Sequence, residues 1–73
     1  MQAYKSKTQK VLSRFLAHQL DFPECIAALD AAFAEYLPRM RNEDLPELRV
    51  LMLANNATVM KEMERRGGAG PVV

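Results

Sequence analysis

Apolar side chains recur along this chain at three- and four-residue steps, in three separate blocks. In the first, Tyr4, Val11, Leu12, Phe15 and Leu16, with Thr8 and Gln19 in register, mark one face of a helix predicted over 4–19. Its other face carries Lys7, Lys10, Arg14 and His18, which places cations toward the helix C-terminus, where the macrodipole tolerates them. The second block, predicted as a helix over 21–37, is apolar on more than one side. Phe22, Cys25 or Ile26, Leu29, Phe33 and Tyr36 or Leu37 form one face, continued by Met40, while Ala27, Ala28, Ala31 and Ala34 form much of another. The third, predicted over 45–65, carries Leu45, Leu48, Leu51, Met52, Val59, Met60 and Met63, and its stripe is broken at Asn55 and Asn56. Either one of the two asparagines falls on or beside the packed face, where an unpartnered amide costs roughly 1–3 kcal/mol, or both look out at its edge.

The ends of these blocks are marked by local chemistry. Asp21-Phe22-Pro23-Glu24 and Asp44-Leu45-Pro46-Glu47 each read as a capping box, with the aspartate accepting from a free first-turn N–H, proline where no hydrogen bond is lost, and glutamate reaching back to the cap. The two starts do not make an internal repeat, because beyond the caps they share only what any two buried helices share. Pro38 ends or kinks the second helix and leaves Arg39 to Glu43 as a polar connection. Gly67-Gly68 ends the third, and the glycines and Pro71 of 67–73 predict a disordered tail. The expected fold is all-α, a small three-helix bundle of up-down-up type occupying residues 1–66, its short connections making neighbours antiparallel.

Composition narrows the means of support. In a chain of 73 residues a single core rarely supplies more than about 3–5 kcal/mol. One cysteine makes no intramolecular disulfide, and one cysteine with one histidine falls short of a structural zinc site, so no metal and no cofactor are expected. Good helix packing or association with another chain remains. The net charge of +1 hides an uneven distribution: residues 1–20 carry +4, residues 21–47 carry −5 and the remainder +2. A basic first helix beside an acidic second one pairs most simply within the fold. No apolar run approaches the roughly 20 residues of a membrane span. The lysines of the first ten residues occupy the place of a signal-peptide core, and the reading is a cytoplasmic protein.

Catalytic chemistry is sparse. There is no glycine-rich phosphate loop, no Cys-x-x-Cys, and no carboxylate pair with the Glu-x-x-His spacing of di-iron bundles. Cys25 sits among apolar neighbours, which oppose the thiolate, and a pairing with His18 requires the turn at Leu20 to fold back. The expectation is a protein that is not an enzyme and has no small-molecule substrate.

What the sequence offers in surplus is apolar helix surface. It points to a non-catalytic helical interaction module whose partner is a second copy or another helical protein. The expected contact residues are Ala27, Ala28, Ala31 and Ala34 of the second helix with Met52, Asn55, Val59, Met60 and Met63 of the third, the plainer role of the methionines being to fill the core. The alternative is a nucleic-acid-binding accessory protein using Lys5, Lys7, Lys10 and Arg14 of the first helix. A helix-turn-helix reader is opposed by electrostatics, since Asp44 and Glu47 would face phosphates.

Overall fold

The computed structural model describes residues 1–67, and within them the chain is three α-helices with no strand. Helix α1 spans Gln2–Leu16, α2 spans Phe22–Tyr36 and α3 spans Leu45–Arg65. Two short 3-10 segments, Leu37–Arg39 and Asn42–Asp44, link α2 to α3. The expected tail beyond Gly67 lies outside the described residues.

The packing fixes the direction of each helix. Tyr4 at the start of α1 is grouped with Ala32 near the end of α2 and Leu48 near the start of α3. Phe15 near the end of α1 is grouped with Cys25 and Leu29 from the first half of α2 and Val59 from the second half of α3. Helices α1 and α2 are therefore antiparallel and α1 and α3 parallel, which is the up-down-up bundle. Thr8 is buried between the two apolar groups, and its hydroxyl donates to the Tyr4 and Lys5 carbonyl oxygens, each at 3.1 Å. Among the described residues no helix is long and apolar enough to cross a membrane.

Helix α1 ends earlier than its periodicity suggests, at Leu16. The cause is His18, whose φ of 64° is the only positive value at a described non-glycine residue. The Gln19 N–H donates to the Arg14 carbonyl oxygen at 2.8 Å and the His18 N–H to that of Phe15 at 3.0 Å. That pair of bonds is a Schellman motif with histidine in the left-handed position glycine usually fills. Gly67 takes the corresponding position after α3, with φ 75°.

The two anticipated capping boxes behave differently. At α2 the Glu24 N–H donates to Asp21 Oδ1 and the Asp21 N–H to Glu24 Oε1, both at 2.9 Å. Leu20, one residue before the cap, packs on the group containing Cys25 and fixes how the chain enters. At α3 the box does not form, and Asp44 makes no side-chain cap. Its backbone is already helical (φ −89°, ψ −13°), as the last residue of the 3-10 segment, whereas a capping side chain needs an extended backbone.

Candidate interaction surface

The third helix has two apolar sides, and only one of them is covered. Leu48 and Val59 are buried, Leu51, Met52 and Asn55 are half-buried, and Glu62 is buried at 6% exposure, so these residues define the inward side. At 3.6 residues per turn, Val50, Leu53, Ala57 and Met60 fall on the side facing directly away. Val50 is 63% exposed, Leu53 52% and Met60 51%, and Ala54 and Ala57 are exposed beside them. Steps of three, four and three residues, preceded by Pro46 and followed by Glu64, give this outer stripe the spacing of a coiled-coil seam. The polar residues beside it are Glu47, Arg49, Asn56 and Lys61, all exposed. Glu47, Arg49, Lys61 and Glu64 form no ion pair among the described residues.

The structure distributes the sequence-predicted contact residues differently from expectation. Val59 is wholly buried against Phe15, Cys25 and Leu29, because one residue along a helix turns the side chain by about 100°, from the outward Met60 to the core. Met63 packs on the same group, and Met52 is half-buried at the edge of the inward side. Asn55 is the inward, half-buried asparagine, while Asn56 is exposed. Burial pushes the Tyr4 hydroxyl above its ordinary pKa, and the contact with Asn55 pulls it back in part. Val59, Met63 and Asn55 are thus committed within the protomer. Among the α3 candidates only Met60 faces outward.

On α2, Ala27, Ala31 and Ala34 are exposed on the side away from Cys25, Leu29 and Ala32, and Ala28 is half-buried on its flank. Their stripe and that of α3 both point away from the core, on different helices. The signal that would have found Val50, Leu53 and Ala57 is their three-four spacing, a second register alongside the Leu48, Leu51, Val59 register that carries the core.

The basic residues of α1 do not assemble into one patch. Lys7 Nζ donates to Glu35 Oε1 at 2.6 Å, and this contact holds the Glu35 carboxyl below its usual range and raises Lys7. Lys7 and Arg39 also lie against the Tyr36 ring, at 6.0 and 5.5 Å from its centroid. Lys5 is half-buried on another side of the helix. Lys10 and Arg14 remain, lining a shallow open depression with Ser6, Gln9 and Ser13 along one face of one helix.

Cys25 is fully buried, and burial pushes its thiol above the ordinary value, while His18 is exposed at the turn. Among the described residues no three His, Cys, Asp or Glu side chains gather as a metal site. No protein-family model matches the chain, and no curated protein or solved structure matches it either.

Proposed function

We propose that the protein is a non-catalytic helical interaction module that associates with a second copy through the outward face of α3. The observation that carries this reading is the exposure of Val50, Leu53 and Met60 at seam spacing on the side of α3 opposite the core. An apolar stripe on a helix already held by its own bundle is pre-organised for docking, since no helix has to form on contact. The free, buried thiol of Cys25 fits a cytoplasmic setting, where such thiols stay reduced. The nucleic-acid alternative loses support where Lys7 is neutralised by Glu35 and Lys5 faces another way.

The test is residue-resolved NMR on dilution, from about 1 mM to about 10 µM, a range that brackets weak association. Amide and methyl signals of Val50, Leu53, Ala57 and Met60 are expected to shift together, with those of Ala27, Ala31, Lys10 and Arg14 unmoved. Dilution shifts confined to α2, or none on α3, would contradict the reading.

A further inference from the structure

The charges beside the α3 seam fall in an order that selects one way of pairing it. Along the helix from its N-terminus stand Glu47 and Arg49, then the apolar layers Val50, Leu53, Ala57 and Met60, then Lys61 and Glu64. All four charged side chains are exposed and lack a partner ion among the described residues.

In a parallel pair each layer meets its own copy, so Glu64 faces Glu64 and Pro46 faces Pro46. Glu47 and Lys61, 14 residues apart, are then separated by about 21 Å along the axis and never meet. In an antiparallel pair with its two-fold axis between the Leu53 and Ala57 layers, the layers alternate in size: Val50 lies over Met60 of the second copy, and Leu53 over Ala57 of the second copy. The same register sets Glu47 across from Lys61 of the second copy at one edge of the seam. At the end of the seam it sets Glu64 over Pro46 of the second copy, within one turn of that copy's Arg49. Each contact occurs twice by symmetry. Asn56, at the centre of the other edge of the seam, faces its own copy without placing a charge on the axis.

We infer that α3 pairs with α3 of a second copy in antiparallel orientation, with Glu47 and Lys61 as reciprocal partners that set the register. The inference rests on the α3 docking proposed above and adds its direction and alignment. The apolar layers span about 15 Å from Val50 to Met60, roughly three turns of one helix from each copy. A seam this short belongs with the small, transient interfaces.

The experiment is a charge-reversal cycle read by sedimentation equilibrium. Both positions are exposed, so the variants keep the fold, and circular dichroism verifies it. Glu47→Lys and Lys61→Glu alone are each expected to weaken the dimer about fivefold or more, since two exposed contacts turn repulsive in each case. The double variant is expected to recover wild-type affinity. As a second readout, Val50→Cys and Met60→Cys proteins mixed under mild oxidation are expected to form the mixed disulfide in excess over either homodimer, with the buried Cys25 silent. A dimer that the double variant fails to restore, or that yields mainly homodisulfides, overturns the antiparallel register while leaving α3 docking intact. A chain that stays monomeric near 1 mM overturns the docking itself.

Discussion

The Arg66 guanidinium donates through Nη2 to the Phe15 carbonyl oxygen at 2.8 Å and lies 4.6 Å from the centre of the Phe15 ring. The two residues are 51 positions apart, and the contact joins the last turn of α1 to the end of α3. Glu62 accepts from Arg66 Nε at 2.7 Å, and from Arg65 Nε and Nη2 at 2.9 and 2.6 Å. One carboxylate thus orients the arginine that satisfies a helix-end carbonyl of another element.

Removing that arginine is expected to loosen the C-terminal end of the bundle. Arg66→Ala loses a charged hydrogen bond, a cation-ring contact and one of the partners of Glu62, so unfolding in urea should register a loss of about 1–2 kcal/mol. Arg41→Ala, at an exposed contact of 3.7 Å with Glu43, is the control and should change stability little.

Acid should act on the same cluster. Hydrogen bonds from Arg65, then from Arg66, hold the Glu62 carboxyl at about 2, against 4.5 for an unperturbed glutamate. A carboxyl with a depressed folded-state pKa contributes stability that is fully present above its unfolded value and lost as pH falls through the folded value. The contribution of Glu62 should therefore stand at pH 7 and fade between about pH 4.5 and pH 2. The Glu35 carboxyl, lowered by Lys7, acts in the same direction. Thermal midpoints followed from pH 7 to pH 2 should fall less steeply for Glu62→Gln than for the wild type, starting from a lower value at pH 7. Parallel profiles would show that the cluster has no part in acid sensitivity.

At the turn between α1 and α2 the expected change is a gain. His18 holds φ 64°, a conformation that costs an L-residue roughly 1–2 kcal/mol and glycine almost nothing. His18→Gly gives back part of this through the freer unfolded chain, leaving a net stabilisation of about 0.5–1 kcal/mol. The melting temperature should rise by several degrees.

These local features differ in how far the sequence reveals them. The three apolar blocks, the Asp21 box and the stop at Pro38 are read from single residues and short spacings, because each follows from backbone geometry within one or two turns. The Asp44 box and the end of α1 are not, since both depend on neighbouring backbone: a 3-10 segment makes Asp44 helical, and a Schellman turn puts a non-glycine residue at positive φ. The candidate surface was partly legible. An excess of apolar helix surface was evident, yet the two registers of α3 interleave, and Val59 beside Met60 reads as one stripe until Val59 is seen against Phe15. The inward turn of Asn55 is likewise invisible to local spacing, since it is set by packing on the other helices.

The two outward faces make opposite predictions for one kind of substitution. Alanines contribute little area, so Ala31→Glu on α2 should leave association unchanged. Leu53→Glu should abolish it by placing a carboxylate from each copy in the proposed seam. Both positions are exposed, and both variants should keep the helical content of the wild type.

The most direct measurement is the solution mass of the wild-type chain and Leu53→Glu by sedimentation equilibrium across a hundredfold range of concentration. The account predicts that the wild type rises from 8.3 kDa toward twice that value while Leu53→Glu stays at the protomer mass. A wild type that remains a protomer throughout, or a dimer that Leu53→Glu leaves intact, would contradict it.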